Sequence, residues 1–188
     1  MRIISGLLKG KKIFAPKDDK TRPLKDLTKE SIFNIIQHSN KFEVKIENST
    51  ILDLFAGVGS FGIECLSRGA KKIIFVENYV SALLILKKNL NGLNIINNYE
   101  IIEKDSYKIN TISELSANFD IIFLDPPYKD KNINTLLINI KNSKILNPNG
   151  ILILHRHKKG EDEFPDEVKI IEEKKYGISK IFFLTFRF

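Results

Sequence analysis

The stretch Thr50-Ile51-Leu52-Asp53-Leu54-Phe55-Ala56-Gly57-Val58-Gly59-Ser60-Phe61-Gly62 decides the fold. Thr50 to Phe55 reads as a strand, and Ala56 to Gly59 as a tight turn. A helix then runs to about Ser67 and is closed by Arg68-Gly69. Gly57, Gly59 and Gly62 match G-x-G-x-x-G between a strand and a helix, where glycines let the backbone pass close to a ligand.

Working outward, the same alternation continues. Lys72 to Glu77 is a second strand, Val80 to Asn91 a helix closed by Gly92, and Tyr99 to Glu103 a third strand. Phe119 to Leu124 is a fourth strand, Ile133 to Ile140 a helix, and Gly150 to His155 a fifth strand. Val168 to Glu173 and Lys180 to Phe186 form a closing antiparallel pair. Strands rich in Ile, Leu and Phe without alternation belong to a sheet covered on both faces, so the core is a doubly wound α/β sheet. Ligands of such sheets bind beyond the carboxyl ends of the strands, at the switch point.

Upstream, Arg2 to Ile4 and Lys11 to Phe14 flank the Ser5 to Gly10 turn region as a hairpin. Thr21-Arg22-Pro23 begins a helix, with Leu24, Leu27, Ile32, Ile35 and Ile36 at helical spacing behind it. The polar run Lys41 to Ser49 marks the internal boundary, giving a basic extension over 1–45 and an α/β unit over 46–188.

Of the 188 residues, 43% are hydrophobic and 28% charged, which suits a packed chain and excludes wholesale disorder. The longest apolar runs, such as Ile121 to Leu124, fall far short of the ~20 residues of a membrane helix, and no secretory signal is visible. Cys65 is the single cysteine and only three histidines are present, so the sequence points to a cytoplasmic, reduced, metal-free protein. The net charge is +7. Residues 1–25 carry eight basic side chains against two acidic ones and so hold nearly all of it, as in a polyanion-binding arm. A solvated tail is the bland alternative.

Glu77 lies fifteen residues beyond Gly62, at the end of the second strand, where a carboxylate accepts hydrogen bonds from both hydroxyls of a ribose. That arrangement serves nicotinamide dinucleotides as well. Asp53, four residues before Gly57, repels a pyrophosphate but attracts the ammonium of S-adenosylmethionine. Asp105, past the third strand, is placed to bond an adenine amino group, although capping a turn is the commoner use of a lone Asp. Cys65 falls among Phe61, Ile63 and Leu66 and reads as core.

Asp125-Pro126-Pro127-Tyr128 follows the fourth strand directly. Two prolines fix backbone angles and remove donors, leaving the Asp125 carboxylate and the Pro126 carbonyl as acceptors. The matching target is an exocyclic amino group on a planar base. Two acceptors on its N–H groups localise a lone pair otherwise delocalised into the ring, and Tyr128 stacks on the base. In-line methyl displacement then needs alignment, which is worth ~7–11 kcal/mol of barrier.

The Asp-Pro-Pro-Tyr segment and the Asp53 to Gly59 turn resemble the amino-methylating S-adenosylmethionine-dependent methyltransferases. Further segments narrow the resemblance: Arg2-Ile3-Ile4-Ser5-Gly6 with Gly10-Lys11-Lys12, Thr21-Arg22-Pro23, Glu30-Ser31-Ile32-Phe33-Asn34, and Leu52 through Gly69. Together, over residues 2 to about 155, they are similar to the 16S ribosomal RNA guanine-N2 methyltransferases of the RsmD type. The resemblance implies a Rossmann-like class I methyltransferase: a mostly parallel seven-stranded sheet with an antiparallel C-terminal strand, plus the N-terminal extension. It implies methylation of a guanine N2 in small-subunit ribosomal RNA or its assembly particle. It also implies that Asp53, Phe55, Gly57, Gly59, Glu77, Asp105 and Arg22 hold the cofactor, and that Asp125, Pro126, Pro127 and Tyr128 hold the base. The chain departs from the family's pattern at Leu24, where a Thr usually follows Arg-Pro, at Leu27 and Lys29, where the helix usually carries arginines, and at His155, where a Glu is common.

Arg2, Lys9, Lys11, Lys12 and Arg22 are the candidate RNA contacts. Nothing resembles a dimerisation helix, so a monomer is expected. Rival readings are an adenine-N6 methyltransferase, which normally carries a larger DNA-reading domain, and a nicotinamide-dependent oxidoreductase, which leaves Asp125 to Tyr128 unexplained. A non-catalytic RNA-binding protein is the third.

Overall fold

In a computed structural model the chain is described at residues 1–15, 24–94, 98–108, 115 and 117–187. Seven strands form one sheet: β1 (Thr50–Leu54), β2 (Lys72–Val76), β3 (Tyr99–Ile102), β4 (Phe119–Leu124), β5 (Leu146–His157), β6 (Val168–Tyr176) and β7 (Ser179–Phe186), in the order β3-β2-β1-β4-β5-β7-β6. β1 to β5 pair in parallel, while β7 runs antiparallel to both β5 and β6. The expected mostly parallel sheet with its antiparallel C-terminal strand is therefore present. The strand order reverses between β1 and β4, which places the switch point where Leu54 and Leu124 end their strands side by side.

Alternate residues of each strand face opposite sides, and both sides are dry. On one side Ile51, Ile73, Phe75, Ile121, Phe123 and Ile153 pack under α1 (Asp26–His38), α2 (Ser60–Ser67) and α3 (Val80–Gly92). On the other, Leu52, Leu54, Ile122, Leu124 and Leu152 pack under α4 (Ile133–Ser143). Phe61 of α2 stacks on Phe33 of α1 and on Phe123 of β4, with centroids 5.3 and 3.9 Å away. Such aromatic pairs add about 0.5–1.5 kcal/mol each beyond their burial. No helix among the described residues is long and apolar enough to cross a membrane.

Residues 1–14 form the expected hairpin-like arm: the Ile3 N–H donates to the Lys11 carbonyl at 2.9 Å and the Ile13 N–H to the Met1 carbonyl at 3.1 Å. Ile3 and Ile13 enter the same core cluster as Ile51 and Phe75, so the arm is packed on the α-helical layer. Two boundaries differ from the sequence reading. α1 begins at Asp26, inside the start expected at Thr21-Arg22-Pro23, which lies outside the described residues, with Leu24 buried in the core and Lys25 extended. β5 begins at Leu146, earlier than expected, because Phe119 pairs with Leu146 and the register then shifts so that Ile121 meets Ile151.

Candidate active site

The turn after β1 is built from left-handed backbone. Phe55 (φ 59°), Gly57 (φ 56°) and Gly59 (φ 84°) all take positive φ, a region that glycine tolerates and phenylalanine reaches only at a cost. At Phe55 the surroundings impose it: its N–H donates to Ser106 Oγ at 3.3 Å and its ring lies 5.0 Å from that of Tyr107. A Cβ on Gly59 would press on Leu86, and one on Gly62 would overlap the Phe75 ring, which explains two of the three glycines by close packing. At Gly57 the space stays open, the nearest atom to such a Cβ being the Phe55 carbonyl oxygen at 4.0 Å.

Three carboxylates converge here. Asp53 is buried beneath α2, where its Oδ2 accepts the Gly62 N–H at 3.0 Å. Burial pushes its carboxyl well above the usual range. The Gly62 N–H pulls the other way, and the neighbouring charges of Asp125 and Glu77 add to the rise. Glu77 Oε2 accepts the Gly57 N–H at 2.7 Å, while Oε1 accepts those of Asn78 and Tyr79, both at 2.8 Å. Asp105, past β3, accepts the Tyr107 N–H at 3.0 Å and so caps its own turn. Arg22 lies outside the described residues. Burial raises the Cys65 thiol well above its ordinary range, in keeping with a packing role.

Asp125 leaves β4 with its N–H 3.4 Å from the Leu54 carbonyl, at the mouth of the switch point. Its Oδ1 is 2.8 Å from His155 Nδ1, and its Oδ2 has no partner among the described residues. The Asp130 N–H closes a turn onto the Pro127 carbonyl at 2.9 Å, whereas the Pro126 carbonyl accepts no hydrogen bond from the described residues. Tyr128 is half-buried, with its ring edge-on to His155 and His157 at 5.7 and 5.2 Å. Behind it Arg156 donates to the Asp130 carbonyl (3.0 Å) and to Asp162 Oδ1 (2.8 Å), and Lys180 pairs with Asp162 Oδ2 at 2.7 Å. This buried charge cluster braces the segment after Tyr128 against β5 and β7.

Sequence reasoning treats His155 and its neighbours as polar strand-edge residues. In the structure His155 is 4% exposed, and its Nε2 lies 2.9 Å from Ser179 Oγ. The available signal is position, because His155 follows Leu154 on β5 as Asp125 follows Leu124 on β4, and those two leucines are partners. Asn89 of α3 is a second omission. It exchanges hydrogen bonds with the Phe14 backbone (2.8 and 3.1 Å) and donates to the Val58 carbonyl at 3.1 Å, tying the arm to the glycine turn.

The arm is held by α2. Glu64 is fully buried and accepts the Ile4 and Ser5 N–H groups at 2.8 and 2.9 Å and Arg68 Nε at 2.9 Å. Lys29 Nζ lies 3.5 Å from Glu64 and donates to the Arg2 carbonyl at 2.9 Å. Lys29, one of the departures from the family's pattern, therefore stands inside a structural network that holds the arm. Of the other departures, Leu24 is buried and Leu27 is exposed on α1. Lys9, Lys11 and Lys12 stand exposed on the arm, and the Arg2 guanidinium lies 3.9 Å from Asp26.

A cation suits this crevice better than an anion, since the charges of Asp125 and Glu77 both reach the Asp53 carboxyl there. Ser60 Oγ, buried at the first residue of α2, has no partner among the described residues and remains available to a ligand in the turn. These residues fit a cationic nucleoside cofactor and oppose a pyrophosphate.

The family model described as conserved hypothetical protein 95 matches residues 1–185. Ribosomal RNA small subunit methyltransferase D of Haemophilus influenzae is 32% identical over 179 residues, covering 95% of this chain and 90% of that protein. Its namesake in Buchnera aphidicola is 36% identical over 161 residues, covering 84% and 78%. Among solved structures, Haemophilus influenzae HI0767 superposes with a TM-score of 0.73 at 31% identity, over 97% of this chain and 96% of that one. Escherichia coli yhhF gives 0.81 at 24% identity over 98% and 96%, a likeness of fold. By the family match and these relatives, the chain belongs to the conserved hypothetical protein 95 family, the RsmD family of methyltransferases.

Proposed function

We propose that this protein transfers a methyl group from S-adenosylmethionine to the exocyclic N2 amino group of a guanine in small-subunit ribosomal RNA. The observation that carries the reading is Asp125 at the switch point, with one carboxylate oxygen held by His155 and the other, like the carbonyl of the following Pro126, without a partner among the described residues. When bound, S-adenosylmethionine supplies a methyl group on a positively charged sulfur. Asp53, Phe55, Gly57, Gly59, Glu77 and Asp105 are the residues that hold it, joined by Arg22. Glu77 already shares its carboxylate among three backbone N–H groups, so it is preset to accept from ribose hydroxyls.

Asp125 Oδ2 and the Pro126 carbonyl accept the two N–H groups of the guanine amine, which aims its lone pair along the line of displacement. Tyr128 stacks on the base, and Pro127 keeps the segment rigid. Methylation would make the amine acidic, and Asp125 is placed to take its proton. Arg2, Lys9, Lys11, Lys12 and Arg22, on the extension over 1–45, grip RNA phosphates, while the unit over 46–188 carries the chemistry. A guanine exposed in a loop is the accessible target, because its stack is already broken. The acting unit in this reading is one chain, working in the cytoplasm. Labelled S-adenosylmethionine, supplied with small-subunit particles from cells lacking the protein, should yield N2-methylguanine by mass spectrometry. Label on adenine N6, or none, contradicts the reading.

A further inference from the structure

We propose that His155 is a positioning residue for methyl transfer: it clamps one oxygen of Asp125 so that the other faces the incoming amino group, and it steadies the edge of Tyr128. The inference rests on the reading in which Asp125 accepts from the amine. It starts from an uninterrupted chain, Asp125 Oδ1 to His155 Nδ1 at 2.8 Å and His155 Nε2 to Ser179 Oγ at 2.9 Å. An ionised carboxylate has no proton to give, so Nδ1–H donates to Asp125. With the ring neutral, Nε2 accepts from the Ser179 hydroxyl, and this bond fixes the tautomer.

The ring is held on all sides. His155 is buried on β5, Ser179 is buried at the start of β7, and Tyr128 meets the ring edge-on at 5.7 Å. The two prolines that come after Asp125 fix backbone angles and not its side chain, and nothing besides His155 among the described residues bonds its carboxylate. Without His155 the carboxylate is free to turn its open oxygen away from the amine, and a misplacement of about 1 Å is worth roughly a hundredfold in rate. A glutamate at this place could donate to Asp125 only when protonated, which makes the histidine a distinct solution to the same placement.

The test is single-turnover methylation of small-subunit ribosomal RNA together with S-adenosylmethionine titration. His155→Ala should lower the transfer rate by roughly tenfold to a hundredfold while S-adenosylmethionine affinity stays at the wild-type level. His155→Asn places an amide N–H where Nδ1 stood and should recover most of the rate; His155→Gln places it where Nε2 stood and should not. In the wild type, 15N-edited NMR should show an exchange-protected Nδ1–H that disappears in Asp125→Ala. A normal rate in His155→Ala, equal rates in the Asn and Gln variants, or an Nε2–H tautomer overturns the proposal. If Asp125→Ala is inactive while His155→Ala is normal, this inference alone fails. Normal turnover in Asp125→Ala removes the amino-acceptor reading and takes this inference with it.

Discussion

At neutral pH the Asp53 carboxylate sits where water does not reach it, and asparagine at that position separates its charge from its shape. Folding raises the carboxyl above its ordinary value of 3.8, so the native state holds that proton more tightly than the unfolded chain does. Native stability from this group therefore declines as pH rises from about 3.8, until Asp53 ionises in the folded protein too. Asp53→Asn still offers an oxygen to the Gly62 N–H, so it should be at least as stable as the wild type at pH 7, with the difference growing as pH rises from acid. Its affinity for S-adenosylmethionine should fall roughly tenfold or more, since a bond to a charged group is worth about 1.5–3 kcal/mol. Thermal melts across pH and calorimetric titration measure the two effects, and undiminished affinity would remove the ammonium-binding role. For Tyr128 the ring and not the hydroxyl should matter. Tyr128→Ala should weaken RNA use by about 1–3 kcal/mol of stacking and Tyr128→Phe by much less, as read from kcat/KM. Equal losses would contradict stacking.

At the scale of elements, the α2 helix does two jobs: its N-terminus floors the glycine turn and its later turns hold the arm. Glu64→Ala strands the Lys29 ammonium and leaves the Ile4 and Ser5 N–H groups without an acceptor. Breaking a buried pair this way costs about 3–5 kcal/mol. Lys29→Met should cost less, because Arg68 still pairs with Glu64. Urea denaturation gives both numbers, and faster hydrogen exchange at Ile4 and Ser5 in the Glu64 variant alone would locate the loss in the arm. Equal destabilisation would mean that Glu64 acts only through Lys29. This network shows why part of the fold was hidden in the sequence. Strands such as Ile121 to Leu124 were legible because burial on both faces leaves an unbroken apolar run. Lys29 stands out in the sequence only as a departure from the family's pattern, since its partner is thirty-five positions away on another helix. Leu146 to Asn149 lies ahead of the strand that the sequence places at Gly150 to His155, and only the pairing of Leu146 with Phe119 makes it strand. Asp125 announced itself through its prolines, whereas His155 acquired its meaning from the register of β4 and β5.

For the whole molecule the question is where the RNA lies. The arm spans α2 and α3 and ends at Phe14, whose backbone is tied through Asn89 to the Val58 carbonyl of the glycine turn. Basic side chains on the arm are thus carried by the same helices that hold the glycine turn. Lys9, Lys11 and Lys12 project from it without an ion pair among the described residues. Each phosphate they neutralise releases counterions, contributing about 0.7 to the slope of log affinity against log salt for single-stranded RNA. Replacing all three with alanine should therefore flatten the slope by about 2 if each contacts a phosphate, with S-adenosylmethionine affinity unchanged because none of the three touches the turn. Filter binding of small-subunit RNA over a salt series measures the slope. An unchanged slope would move the RNA off the arm. A parallel fall in cofactor affinity would instead make the arm a support for the glycine turn, acting through Phe14 and Asn89, and not a grip on the substrate.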